Sequence, residues 1–214
     1  EPKEQYLTNV CWGPNDKYIY IAVLNRDQNH LKLNQYSATT GEFIQTLFEE
    51  KSDKYVQPLH PMEFVSDNRF LWRSERGGGD NFYLYNTSGK LIKPMLKKEH
   101  VVKDFYGYHQ GSIYFSAFTK DGLGVDLWKV SIDKKSHKKI ISDGNYHNFQ
   151  ISPTKKFFID NFSNINIPRI TRVIDSQNGD MVVDILVSEN PLLDYDIGAT
   201  DLISIPTDDN INLN

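Results

Sequence analysis

Short segments of apolar and polar residues, separated by polar turns, recur along the whole chain. Residues 30–36 (HLKLNQY) alternate between the two kinds of residue, which is typical of a strand with one buried face. Residues 18–23 (YIYIAV) and 112–117 (SIYFSA) are rich in aromatic and β-branched side chains, which suit a pleated surface. No segment has the pattern of a long amphipathic helix. The sequence therefore predicts an all-β fold.

The segments group into four units with the same order of parts. Each unit begins with a short strand that carries an aromatic residue, turns into a second strand, crosses a polar loop to a third, and turns again into a fourth. Successive opening aromatic residues lie 52, 41 and 44 positions apart, and the first interval is longer because residues 49–61 form an insertion. These aromatic residues are Trp12, Phe64, Phe105 and Phe149.

This spacing predicts a partial β-propeller of about four blades, each of four antiparallel strands, because propeller blades repeat every ~40–50 residues. An all-β sandwich with regular hairpins is the alternative. Four blades could close into a ring, but the pattern changes after position 184, which indicates further chain on both sides. The approximate units are 5–60, 61–100, 101–146 and 147–198.

Composition and charge narrow the function classes. The net charge is −4 and the lysines and arginines are dispersed, so no basic stripe for nucleic acid is expected. Cys11 is the single cysteine, lies in a predicted strand and is interpreted as a small buried apolar residue. The histidines do not have the spacing of metal ligands, so no metal site is predicted. The three glycines at 77–79 are not followed by the helix and the Lys-Ser/Thr pair of a phosphate loop, so no cofactor is predicted. Neither a signal peptide nor an apolar membrane span is seen.

Several segments, in order, resemble the propeller of dipeptidyl peptidase IV, a family of serine exopeptidases of the prolyl oligopeptidase type, and the bacterial enzymes of the Bacteroidetes most of all. The resemblance begins with residues 6–12 (YLTNVCW) and 23–29 (VLNRDQN). It continues through 64–70 (FVSDNRF), the acidic, glycine-containing loop at 74–78 (SERGG) and the strand at 126–130 (DLWKV).

The resemblance implies the second half of an eight-bladed propeller that gates peptides for an α/β-hydrolase domain. In the family, that domain carries a Ser-Asp-His triad and releases N-terminal dipeptides with proline or alanine second. Residues 200–214 would begin the connection to it. The chain has no G-x-S-x-G motif, so no catalytic residue is predicted here. Implied partners are the parent's own hydrolase domain, peptide substrates and a second copy of the full-length protein, with a periplasmic, cell-surface or secreted location.

The insertion supplies the candidate site. The family has a loop at this place, with an aromatic residue and an arginine, that lines the substrate cavity. Tyr55 and Val56 resemble its aromatic–valine step, and Gln57 and His60 follow, while the arginine is missing. The resemblance therefore implies a cavity loop with Tyr55, Val56, Gln57 and His60. The pair at 49–50 (EE) is interpreted as solvated carboxylates between blades, since the family's amine-binding glutamates lie in an earlier blade.

Two other functions remain open from the residues alone. One is a stand-alone binding scaffold of the WD-repeat or periplasmic kind, which a short parent reading frame would favour. The other is a propeller glycosidase, which needs two carboxylates ~5 to 9.5 Å apart in a central pocket.

Overall fold

The repeated strand pattern folds into four separate antiparallel sheets of four strands each. The structure, a computed structural model, describes residues 4–97, 100–196, 198 and 203–208 and the backbone of 212–213. In each sheet, strands adjacent in sequence are adjacent in space. This meander is the topology of a propeller blade and not the two-sheet arrangement of a sandwich. The predicted all-β partial propeller of about four blades is confirmed.

The chain divides into two compact units, Glu1–Val101 and Val102–Asn214, which are described separately. Each unit contains two of the four-stranded sheets. The first sheet consists of β1 (Gln5–Trp12), β2 (Tyr18–Asn25), β3 (His30–Ser37) and β4 (Phe43–Lys51), with a 3₁₀ turn at Pro14–Asp16. The second consists of β5 (Glu63–Ser66), β6 (Arg69–Ser74), β7 (Asn81–Asn86) and β8 (Leu91–Pro94).

The second unit repeats this arrangement and adds a short hairpin. Its sheets are β9 (Val102–His109), β10 (Ser112–Phe118), β11 (Val125–Ser131) and β12 (His137–Ile141), followed by β13 (Tyr146–Ile151), β14 (Phe157–Ser163), β15 (Ile170–Asp175) and β16 (Met181–Val187). The hairpin pairs β17 (Ile205–Pro206) with β18 (Asn212–Leu213). The predicted connection to a hydrolase domain at 200–214 lies partly outside the described residues.

The same backbone hydrogen bond recurs in all four sheets. The residue that follows the third strand donates its N–H to the carbonyl oxygen in the turn between the first two strands, at 2.9–3.0 Å. This bond fixes the hairpin turn against the adjacent strand end in every blade, so the sequence repeat is also a repeat of local geometry. The four pairs are Ala38 to Lys17, Thr87 to Asn68, Ile132 to Gly111 and Ser176 to Lys156.

Alternation along the strands determines the core of each unit. In the first unit, the fully buried Ala22, Leu31 and Leu33 face the second sheet, whose Phe70 and Trp72 belong to the same cluster. In the second unit, buried aromatic and aliphatic residues of both sheets form the corresponding cluster. Aromatic rings bury a large area and prefer tilted or offset packing. The ring-rich composition therefore provides the contacts between neighbouring sheets within each unit.

The predicted insertion starts three residues too early. Strand β4 extends to Lys51, because Glu50 pairs with Leu31 and Lys51 with His30 in the β3–β4 ladder. The connection to the second sheet therefore begins at Ser52. Among the described residues, no helix is long and apolar enough to cross a membrane.

Gly89→Ala should destabilise the protein by about 3 kcal/mol, because two penalties coincide at this β7–β8 turn. Gly89 has φ +83°, and an added Cβ would lie 2.0 Å from the carbonyl oxygen of Leu47. The matched control is Gly41→Ala, with φ +73° and nothing within 4 Å of the added Cβ, which should lose only about 1–2 kcal/mol. Urea denaturation measures both, and equal losses would contradict the steric argument.

Candidate functional site

The connection after β4 is anchored at several points. The backbone N–H of Ser52 donates to the carbonyl oxygen of Asn29 at 3.0 Å, and the N–H of Val56 donates to that of Gln28 at 2.7 Å. The Val56 side chain is buried in the core of the first unit. Its two neighbours, Tyr55 and Gln57, are exposed. Burial of Val56 therefore holds the loop in place and presents the side chains on either side of it.

This loop forms one wall of a cleft of about 260 Å³. The other wall is the end of β6 and the start of the β6–β7 loop, and the floor is the end of β4. Tyr55, Val56 and Gln57, from the predicted cavity loop, all line it. The full lining is Glu50, Lys51, Ser52, Lys54, Tyr55, Val56, Gln57, Ser74, Glu75 and Arg76.

His60 lies elsewhere. It is not among the described residues that line the cleft. Its Nδ1 is 2.8 Å from the carbonyl oxygen of Pro61, and its own carbonyl oxygen accepts a hydrogen bond from Asn9 Nδ2 at 3.0 Å. These contacts place His60 against β1, at the far end of the connection, so the structure brings together three of the four predicted loop residues.

The interpretation of residues 49–50 as a solvated pair is wrong for Glu50. Strand alternation sends the two side chains to opposite faces of β4. Glu49 is exposed and contacts His30, Lys32 and Lys51. Glu50 is only 6% exposed. The family resemblance did not assign Glu50 a role, and its burial depends on residues that follow it by more than twenty positions.

Glu50 is surrounded by hydrogen-bond donors. Trp72 Nε1 donates to Oε1 at 3.0 Å, Ser74 Oγ donates to Oε2 at 3.0 Å, and Arg76 Nη1 lies 3.4 Å from Oε1. Burial raises the pKa of the Glu50 carboxyl, and Arg76, Ser74 and Trp72 oppose that rise only partly. Buried carboxylates require such partners. The floor of the cleft is therefore a satisfied carboxylate.

Arg76 is held above this floor by aromatic rings. Its guanidinium carbon lies 3.8 Å from the ring centre of Tyr83, 5.4 Å from that of Tyr85 and 5.9 Å from that of Phe48. Guanidinium groups stack on aromatic faces through cation–π attraction. The side chain retains 27% exposure. Sequence reasoning noted the SERGG loop only as part of the resemblance and missed Arg76 as a site residue.

A second buried polar cluster lies in the second unit. His147 is fully buried, with Nδ1 2.7 Å from Asp160 Oδ1 and Nε2 2.7 Å from Asp143 Oδ1. Arg172 Nε donates to Asp160 Oδ2 at 3.0 Å. Both ring nitrogens must be protonated to donate to two carboxylates. Burial lowers the pKa of His147, but the bonds to and charges of Asp160 and Asp143 outweigh this and raise it. The spacing of the histidines along the chain gave no indication of this polar cluster.

Neither the cysteine nor a metal cluster adds to the site. Cys11 is half-buried in β1 and packs against the core, and burial raises the pKa of its thiol to about 12. A thiol this weakly acidic is a poor nucleophile. No group of three or more His, Cys, Asp or Glu side chains within the described ranges could hold a metal ion.

The fold and cleft define a class of protein: a partial β-propeller in which an anchored connection between two blades lines a polar cleft. The chain matches the family described as "Dipeptidyl peptidase IV (DPP IV) N-terminal region" over residues 1–169. Because this match covers well over half of its length, the chain belongs to that family.

Two crystal structures of bacterial proteins are similar to the chain. The first is a putative dipeptidyl aminopeptidase IV from Bacteroides ovatus, with 27% identity, a TM-score of 0.85, and coverage of 99% of this chain and 33% of that one. The second is Porphyromonas gingivalis dipeptidyl peptidase 4, with 15% identity, a TM-score of 0.83, and coverage of 99% and 31%; it supports the fold alone. The chain thus spans about a third of the length of these proteins.

Proposed function

We propose that the chain is the non-catalytic propeller region of a dipeptidyl peptidase IV-like serine exopeptidase, in which it gates and helps to bind peptides. The full-length protein removes N-terminal dipeptides with proline or alanine second. Its partners are its own α/β-hydrolase domain, peptide substrates and a second copy of itself. Its location is periplasmic, on the cell surface or secreted.

The observation that carries this proposal is the anchored loop at the cleft. Val56 is buried, whereas Tyr55 is 59% exposed beside it. An exposed aromatic side chain on a fixed backbone offers a large contact area at low conformational cost, which favours ligand binding. The family match over residues 1–169, a range that includes this loop, supports the proposal.

The first test assays the full-length protein that contains this chain, and the chain alone, with a Gly-Pro chromogenic substrate. We expect turnover by the full-length protein only, because the chain has no G-x-S-x-G motif. A full-length protein that never cleaves such substrates would refute the peptidase proposal. Turnover by the isolated chain at the parent's rate would refute the non-catalytic role.

Tyr55→Ala in the full-length protein should raise the KM for a peptide substrate by about fivefold, the equivalent of a contact worth ~1 kcal/mol. The kcat should stay within about twofold, because a propeller contact binds substrate and transition state alike. Steady-state kinetics with a Gly-Pro-containing peptide measures both constants. The matched control is Tyr195→Ala, which removes a 67% exposed tyrosine outside the cleft lining. Equal kinetic effects of the two substitutions would contradict a cleft-specific role.

A further inference from the structure

The cleft contains an arginine whose position is fixed before any ligand arrives. Arg76 is stacked 3.8 Å from the ring centre of Tyr83 and paired with Glu50 through Nη1. An arginine side chain normally loses considerable rotamer freedom when it binds a ligand. The ring contacts and the ion pair have already removed that freedom, so Arg76 is preorganised for binding.

Glu50 is not the group that recognises a ligand. Its Oε1 receives Trp72 Nε1 and faces Arg76, and its Oε2 receives Ser74 Oγ. A ligand amine would have to compete with these donors for a carboxylate that is 5% exposed. Glu50 is therefore a positioning residue, and it orients the guanidinium of Arg76.

The exposed part of Arg76 is suited to an anion. A guanidinium carries five N–H donors in a planar fork that matches a carboxylate, and Glu50 and the Tyr85 hydroxyl engage only part of that set. Lys54 is exposed at the rim, whereas Lys51 is exposed there but has its Nζ 3.6 Å from Glu49 Oε2. Glu75 is the one exposed acidic residue in the lining. The ligand-facing charges of the cleft are thus mainly positive.

We infer that Arg76 is a specificity-determining residue, which binds a carboxylate group of the peptide in the cleft between the Ser52–Gln57 loop and the β6–β7 loop. This inference rests on the proposed peptidase function and names its preferred substrates: peptides with an acidic side chain, or short peptides whose C-terminal carboxylate reaches the cleft. Lys54 adds long-range attraction, while Arg76 supplies the paired hydrogen bonds.

The test compares matched peptides on the full-length protein. One arm pairs Gly-Pro peptides with Asp against Asn at the third, fourth or fifth position, each with an amidated C-terminus. The other arm pairs Gly-Pro-Ala-Ala with its C-terminal amide. We expect a preference of about tenfold in kcat/KM for the acidic partner in at least one arm, and the arm identifies the source of the carboxylate. Isothermal titration of the same pairs reports binding without turnover.

Arg76→Met should reduce the acid-to-amide ratio to near one, and Arg76→Lys should retain part of it, because lysine keeps the charge without the fork. The ratio within each variant is the readout, so a general loss of activity does not mimic the effect, and thermal unfolding of each variant checks the fold. No acidic preference in the wild-type protein, or a preference that survives in Arg76→Met, overturns the inference. An absence of peptide cleavage with acid-selective binding intact would instead refute the peptidase proposal and leave the Arg76 site standing.

Discussion

Asp160→Asn should lower the free energy of unfolding by about 3–5 kcal/mol at pH 6, since it removes the shared partner of two cations. Asp160 is fully buried, and its oxygens contact His147 Nδ1 and Arg172 Nε at 2.7 and 3.0 Å. Asparagine keeps the shape of the side chain but loses the charge. The substitution therefore leaves a buried imidazolium and a largely buried guanidinium without their common carboxylate.

The loss should shrink as the pH rises. The pKa of His147 is raised above its ordinary value of 6.5, so its protonated form contributes full stability below pH 6.5 and loses that contribution as the pH passes its folded-state value. In Asp160→Asn, the stabilisation by protonated His147 is smaller even below pH 6.5, because one of its two carboxylate partners is gone. The stability of the wild-type protein should therefore fall as the pH rises above 6.5, while that of Asp160→Asn should change less with pH.

The surroundings of His147 support the upward shift of its pKa. Asp143, in the preceding turn, contacts the other ring nitrogen, and its own pKa is lowered by the bond to His147 although burial opposes the shift. From β9, Lys103 Nζ lies 3.4 Å from the His147 carbonyl oxygen. Asp143 and Asp160 each lie 2.7 Å from a ring nitrogen of His147, and these two contacts favour the imidazolium although Arg172 also binds Asp160.

Urea denaturation at pH 6, 7.5 and 9 measures the effect. Asp194→Asn removes an exposed aspartate outside the cluster and should change little at any pH. A constant difference between Asp160→Asn and wild type across this range would show that His147 does not titrate with the fold.

The sequence predicted the blades but not the buried polar groups, and the reason is the range of the interactions involved. A blade is made from neighbouring strands, and bonds such as Ala38 to Lys17 close over about twenty residues with local turn geometry. The burial of Glu50 depends on how the second sheet packs on the first, which brings Trp72 and Ser74 to it. Residue spacing along the chain contains no direct signal for that packing.

A weaker signal did exist in two places. His147 and Phe149 alternate along β13, so strand periodicity places both on the buried face, and a buried histidine requires hydrogen-bond partners. The same reasoning applied to β4 separates Glu49 from Glu50. Arg76 is different, since its stacking on Tyr83 follows from the path of the glycine-containing β6–β7 loop, and that path is not encoded by periodicity.

Glu50→Ala should lower the free energy of unfolding by about 3–5 kcal/mol, whereas Glu50→Gln should lower it by only about 1 kcal/mol at pH 7. Alanine leaves the buried Trp72 N–H and Ser74 hydroxyl without the acceptor they contact and removes the partner of Arg76. Glutamine still accepts from Trp72 and can donate to Ser74. It also avoids the burial of a charge, which the raised pKa of Glu50 shows to be unfavourable.

The stability contributed by Glu50 depends on pH over a different range from that contributed by His147. A carboxyl whose folded-state pKa is raised above its ordinary value of 4.5 stabilises the fold most at low pH, and that contribution is lost as the pH rises through the folded-state value. Glu50→Gln has no such titration. Its deficit relative to wild type should therefore be larger at pH 5 than at pH 7, which urea denaturation at both values can measure.

The matched control is Glu49→Ala. Glu49 is the exposed neighbour of Glu50 on β4 and does not contact Trp72 or Ser74, so its removal should change stability little. Equal losses for Glu50→Gln and Glu50→Ala would contradict the argument, because they would mean that the charge and not the hydrogen-bonding shape stabilises the site. In that case Glu50 would act as an electrostatic anchor for Arg76. If Glu50→Gln is stable, it removes the charge that orients Arg76 while the cleft stays folded, so the effect of that orientation on binding can be measured.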